Sequence, residues 1–67
     1  MNFTVYSKDG CPYCTQVKRV LDLCNFKYRE YKLDEHFDRF AFYEEFGGNA
    51  TFPQVQLNGK KLGGCTD

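Results

Sequence analysis

Apolar and polar residues first alternate along the chain. Phe3 and Val5 face one way and Thr4 and Tyr6 the other in a β-rich run from Asn2 to Ser7, the period of a strand with two unlike faces. Lys8-Asp9-Gly10 carries turn chemistry and ends the run. The period then changes: Val17, Val20, Leu21 and Cys24 stand at i, i+3, i+4 and i+7, predicting one apolar stripe on a helix of about three turns. Pro12 suits the first helical position, where its missing N–H costs nothing, and Cys11 then falls at the N-cap. Asn25 is a stop. Phe26 to Leu33 alternates again and predicts a second strand. Asp34 to Phe46 predicts a second helix, with Asp34 as cap and Phe37, Phe40, Ala41, Tyr43 and Phe46 on a broad apolar face. Gly47-Gly48 ends it. Phe52 to Leu57 predicts a third strand. Asn58-Gly59 is a strong hairpin signal. Lys60-Lys61-Leu62 predicts a brief fourth strand, broken by Gly63-Gly64.

The order is therefore βαβ followed by α and a β-hairpin, an α/β class. A right-handed crossover makes the first two strands parallel, and the hairpin completes a four-stranded mixed sheet. The 67 residues suffice for a single domain, residues 1–67. So short a chain buries only about 60% of the surface its unfolded form exposes. Seven Phe and five Tyr supply large apolar area per residue to offset that. No repeat, linker or low-complexity stretch interrupts the sequence.

Charge narrows the function. The formal net charge is zero, so bulk electrostatics point to no nucleic-acid partner. The basic pairs Lys18-Arg19 and Lys60-Lys61 read as solvated faces. No apolar run approaches the roughly 20 residues that span a bilayer, and the first residues lack the pattern of a signal peptide. A soluble, cytoplasmic protein without a membrane partner is expected, and Asn49-Ala50-Thr51 then matches a glycosylation pattern by chance.

Four cysteines, at 11, 14, 24 and 65, could form two disulfides in a secreted miniprotein. In a reducing compartment a close pair reads instead as redox or metal chemistry. Cys11 and Cys14 sit three apart across a strand-to-helix junction, close enough for a disulfide that leaves the helix intact. At the helix start, unpaired N–H groups and the positive end of the helix dipole stabilise a thiolate. Such sites lower a cysteine pKa from about 8.5 to roughly 3.5–7.5. Cys11 is thus the expected nucleophile. Cys14, one turn in and leaning toward Val17 and Leu21, is the expected resolving thiol. A zinc site would need a second close ligand pair. Cys24, His36 and Cys65 supply none, so no metal is expected. Cys24 reads as a buried core thiol and His36 as a surface residue.

Pro53 inside a strand pattern implies an edge, bulge or turn. Phe52-Pro53 is trans by base rate. A cis bond is the sharper alternative, leaving the Phe52 backbone open to pair with an extended peptide-like ligand by strand addition. In Gly63-Gly64-Cys65-Thr66-Asp67, backbone N–H groups could hold a carboxylate, with Thr66 donating a further bond; an ordinary loop is the competing reading.

Taken together, these motifs resemble the glutaredoxin family. Cys11-Pro12-Tyr13-Cys14 is similar to its dithiol active site. Thr51-Phe52-Pro53 is similar to its Thr-Val-Pro segment, with Phe in place of Val. Gly63-Gly64-Cys65-Thr66-Asp67 is similar to its Gly-Gly-x-x-Asp ending. The three occur in family order and cover almost the whole chain. The resemblance implies a thioredoxin-like fold and a glutathione-dependent thiol–disulfide oxidoreductase. Glutathione would be a cosubstrate, with no tightly bound cofactor. It implies attack by Cys11, resolution by Cys14, and a glutathione groove made by Lys8, Tyr13, Thr51, Phe52, Pro53, Gly64, Cys65 and Thr66. The implied partners are disulfide-containing or glutathionylated proteins, ribonucleotide reductase among them, acted on by a monomer. A family contact on the second helix falls by offset at Phe40, with Arg39 beside it as the polar candidate. Family members continue into a last helix, whereas this sequence stops at Asp67, so a terminal helix is expected to be absent. Two other functions share the motif: a thioredoxin recycled by a flavoprotein reductase, and an iron–sulfur or metal carrier. Pro-Tyr between the cysteines and the Gly-Gly-Cys-Thr-Asp ending favour glutathione over the first. Pro12, stiffening the helix start, disfavours the second.

Overall fold

The computed structural model describes residues 2–64. Its elements run β1 (Phe3–Ser7), α1 (Pro12–Leu23), β2 (Tyr28–Lys32), α2 (Arg39–Phe46), β3 (Gln54–Leu57) and β4 (Lys60–Gly64). The sheet order is β2-β1-β3-β4. β1 runs parallel to β2 and antiparallel to β3, and β3 runs antiparallel to β4. This is the four-stranded mixed sheet expected from the element order, with β1 at its centre.

Alternation along β1 assigns the two helices to opposite faces. Val5 is fully buried and opposite Val55 of β3, and partners across an antiparallel pair share a face. Val55 also borders Val17, Val20 and Leu21 of α1, so α1 lies on this face. Tyr6 points the other way. Its ring meets Phe37 at 5.5 Å and Phe46 at 4.9 Å, which places α2 on that side.

Two turns show why the chain bends where it does. Asn58 and Gly59 have φ of 53° and 85°, the paired positive values of a type I′ hairpin. Gly63-Gly64 does not break the last strand. Val55 pairs with Gly63 but Gln56 with Lys61, so Leu62 is the extra residue of a bulge. Gly63, at φ 102°, absorbs the bend, and pairing resumes through Gly64 opposite Gln54.

The second helix departs most from its sequence pattern. It starts at Arg39, not after Asp34. Asp34 is left-handed at φ 68°, so it closes a turn: its N–H donates to Phe37 O at 2.7 Å. Asp38 is the cap instead, its Oδ1 accepting the Ala41 N–H at 2.8 Å. With residues 34–38 outside the helix, the expected face forms only in part: Phe37, Tyr43 and Phe46 pack against the core. Phe42, absent from it, becomes the core residue at 2% exposure, while Phe40 is 74% exposed and Ala41 is exposed. The stripe on α1 is corrected in the same way. Cys14 and Leu21 are buried, but Val20 is 57% exposed and Cys24 is exposed rather than a core thiol. Among the described residues no element covers that side of α1.

One polar network ties α1 to the sheet. Ser7, buried at the end of β1, donates its hydroxyl to Glu30 Oε2 on β2 at 2.5 Å, and Lys18 Nζ of α1 donates to the same oxygen at 2.9 Å. Burial alone would push the Glu30 carboxyl up. The Ser7 and Lys18 hydrogen bonds, with the charges of Lys18 and Lys32, outweigh it, and the net direction is down. A lowered folded-state value gives stability that is present above the unfolded value and lost as pH falls through the folded one. Glu30→Gln should therefore lower unfolding stability by about 1 kcal/mol at neutral pH, a small figure because the pair is partly solvated. The gap from the parent should narrow below about pH 4.3, where the unfolded carboxylate protonates. Urea titrations at pH 7 and pH 3 measure it; an equal gap at both would contradict the assignment.

Candidate active site

The cysteine pair is built by a turn and a cap. Gly10, at φ 68°, swings the chain from β1 into α1, a conformation open to glycine without a Cβ penalty. Cys11 follows in extended backbone as the N-cap, and its Sγ accepts the Cys14 N–H at 3.2 Å. The sulfur thus occupies the place a Ser or Asp oxygen takes at other helix starts. Pro12 begins the helix. The Cys11 carbonyl accepts the Thr15 N–H at 3.2 Å. Cys11 and Cys14 are joined as a disulfide with Cα atoms 5.2 Å apart. Their environments are unequal: Cys11 is half-buried, Cys14 only 2% exposed.

Cys14 shares a buried cluster with Phe42 of α2 and Phe52, against which Cys11 also packs. The Phe42 and Phe52 rings stack at 4.0 Å between centroids, 11° from parallel. The Phe52–Pro53 peptide bond is cis, the sharper of the two sequence alternatives, and Pro53 is fully buried. Among the described residues, no hydrogen bond engages the Phe52 N–H or carbonyl. The Lys8 ammonium lies 5.2 Å from the centre of the Phe52 ring.

The remaining candidates are placed less uniformly. Tyr13 and Thr51 are exposed, directly before Cys14 and Phe52 in sequence. Gly64 ends β4 and pairs with Gln54, one residue past Pro53. Cys65, Thr66 and Asp67 lie outside the described residues. Arg39 and Phe40 are exposed in the first turn of α2. His36 is exposed as expected, with Nδ1 accepting the Lys32 N–H at 3.0 Å. Among the described residues no group of three or more His, Cys, Asp or Glu could hold a metal ion.

Sequence reasoning missed two residues here. Gln54 is buried, and its side-chain amide donates to the Thr51 carbonyl at 2.8 Å, closing the backbone around Phe52-Pro53. Its signal was a polar residue directly after the proline, at a strand position opposite Tyr6. Phe42 backs the Phe52 ring, and only the true start of α2 reveals it.

Nearby charges are settled locally. Lys32 donates to Asp9 Oδ1 at 2.7 Å; that hydrogen bond holds the Asp9 carboxyl below its usual range and the Lys32 ammonium above its own. On the far face, burial first, then Tyr31 and Glu45, push the Tyr6 hydroxyl up.

Comparison with known proteins matches this geometry to one family. The glutaredoxin family model matches residues 3–62. A glutaredoxin of Ricinus communis is 42% identical over 64 residues, spanning 91% of this chain and 63% of the relative. Glutaredoxin 3 of Escherichia coli is 29% identical, over 98% of this chain and 80% of that one. Among solved structures, a buckwheat glutaredoxin–glutathione complex superposes with a TM-score of 0.80 at 34% identity, over 96% of this chain and 61% of that one. Glutaredoxin 1 from Francisella tularensis, complexed with cacodylate, gives 0.77 at 29% identity, over 97% and 84%. The chain spans about three fifths of the plant relatives it matches. Its sheet and its helix on either face match the thioredoxin-like fold of those proteins, and its Cys11–Cys14 pair fits a CxxC dithiol motif. The chain belongs to the glutaredoxin family.

Proposed function

We propose that this chain is a glutathione-dependent thiol–disulfide oxidoreductase, acting on protein disulfides and on glutathione mixed disulfides. The observation that carries the reading is the inequality of the pair: Cys11 is reachable at the helix cap, and Cys14 is sealed one turn in against Phe42 and Phe52. A nucleophile must meet an incoming sulfur, whereas a resolving thiol need only meet its neighbour.

In the reduced protein the Cys11 thiolate, favoured by the helix N-terminus, attacks one sulfur of a substrate disulfide and expels the other as a thiolate. Cys14 then attacks Cys11 Sγ, expels the second substrate thiolate and leaves the Cys11–Cys14 disulfide. One glutathione thiolate attacks Cys11 Sγ and expels Cys14. A second attacks the glutathione sulfur bound to Cys11, giving oxidised glutathione and restoring the thiolate. Two electrons pass from two glutathiones to one substrate disulfide. On a glutathionylated substrate Cys11 suffices alone.

Glutathione would lie along Lys8, Tyr13, Thr51, Phe52 and Pro53 toward Gly64, Cys65 and Thr66. The Phe52 backbone, free of partners among the described residues, suits strand-like pairing with its peptide, and Lys8 suits its glycyl carboxylate. The buckwheat relative solved with glutathione supports that cosubstrate. Cytoplasmic location, a monomeric state and client proteins such as ribonucleotide reductase are part of the same proposal.

Cys11→Ser should abolish glutathione-dependent reduction of disulfides, read by coupling oxidised glutathione to NADPH consumption. Cys14→Ser should retain removal of glutathione from a glutathionylated peptide yet lose reduction of protein disulfides. Equal loss of both reactions in Cys14→Ser would contradict the assigned roles. Alkylation gives an independent check. In the reduced protein at pH 6, iodoacetamide should modify Cys11 at least ~10-fold faster than Cys14, because thiolate character and access set the rate. Peptide mass mapping measures the order, and a faster Cys14 would sink the assignment.

A further inference from the structure

The chemistry above uses the aromatic ring of Phe52 only to help seal Cys14, and its backbone to pair with glutathione. The sequence places Phe here, where the family segment it resembles has Val. The ring is 9% exposed and stacked at 4.0 Å on Phe42, itself 2% exposed. Phe37 lies roughly parallel beside the pair, 5.8 Å from Phe42 and 6.2 Å from Phe52. Three near-parallel rings therefore fix the position of the Phe52 face, and the Lys8 ammonium lies 5.2 Å from its centre, inside the roughly 6 Å reach of a cation–π contact.

The other partners of Lys8 matter equally. Among the described residues the ion pairs engage Lys18, Lys32 and Lys61, and none engages Lys8. A carboxylate partner would order a lysine but also neutralise it, and would compete with an incoming carboxylate for the same ammonium. An aromatic face orders the ammonium through its quadrupole and leaves the full positive charge available. A lysine stem otherwise samples many rotamers, each of which must be given up when a ligand is bound.

We infer that Phe52 is a positioning residue: its ring, backed by Phe42, holds Lys8 preorganised for the carboxylate of the bound thiol peptide. The inference rests on the glutathione reading, and it adds a side-chain role that the Thr-x-Pro backbone does not require. It makes the affinity for glutathione depend on the aromaticity at position 52 beyond its size.

The test is a coupled pair of substitutions, read by steady-state kinetics with glutathione and a small disulfide. Phe52→Leu keeps an apolar side chain and removes the quadrupole; Phe52→Val is the second variant should the first not fold. Either should raise KM for glutathione about three- to ten-fold, the span expected of a partly desolvated cation–π contact, with most of the loss in KM rather than in kcat. Phe52→Tyr should restore the parent KM. Lys8→Met should raise KM to a similar extent, and adding Phe52→Leu to it should raise KM no further. A direct readout needs no glutathione: the Lys8 ε-methylene protons should show an upfield ring-current shift by NMR that Phe52→Leu removes and Phe52→Tyr retains. Absence of that shift in the parent, an unchanged KM in Phe52→Leu, or fully additive effects of the two substitutions would each overturn the inference while leaving the glutathione reading standing. A parent chain that glutathione cannot turn over would overturn that reading, and the inference with it.

Discussion

The buried contact among Cys14, Phe42 and Phe52 holds the site together. It joins three segments far apart in sequence: the first turn of α1, the body of α2, and the backbone leading into β3. In a chain that can bury only part of its surface, a contact between rings 4.0 Å apart gives much apolar burial from few residues. The same contact sets the chemistry. It seals one sulfur and leaves its partner at the rim, so the two cysteines differ by packing although they lie a single turn apart. It also presents the Phe52 backbone beside that rim.

Around this contact, polar groups fix the angles. Ser7, Glu30 and Lys18 pin α1 to β1 and β2, and Lys32 holds Asp9 in the turn before the cysteines. Gln54 closes the loop from the other side through the Thr51 carbonyl. These bonds are individually modest, but they lie at both ends of the active-site turn. The helix start at Cys11 is thus supported from the sheet.

Much of this was legible in the sequence because the local signals were strong. Gly10 before Cys11-Pro12 specified the turn and the cap, and Asn58-Gly59 specified the hairpin; each acts through its own backbone preference. The order of elements then constrained the sheet. What failed depended on partners a periodicity cannot see. Val20 and Cys24 obey helical spacing with Leu21, yet nothing described covers their side of α1. Asp34 has a capping side chain, but its left-handed backbone hands that role to Asp38. With the helix starting four residues later, the inward position passes to Phe42. Gly63-Gly64 looked like a break because the bulge at Leu62 is a property of pairing with β3, not of the pair of glycines. The Cys11–Cys14 pair was readable from spacing and resemblance; Gln54 and the ring stack were not, since both are contacts made across the fold.

The central claim is that this chain exchanges disulfides at Cys11 and is recharged by glutathione. Its most direct test is to give the purified 67-residue chain a small disulfide and one electron source at a time. One source is glutathione kept reduced by glutathione reductase and NADPH; the other is a thioredoxin reductase with NADPH. The account predicts steady turnover with the first and little with the second. Turnover with the flavoprotein alone, and none with glutathione, would contradict it.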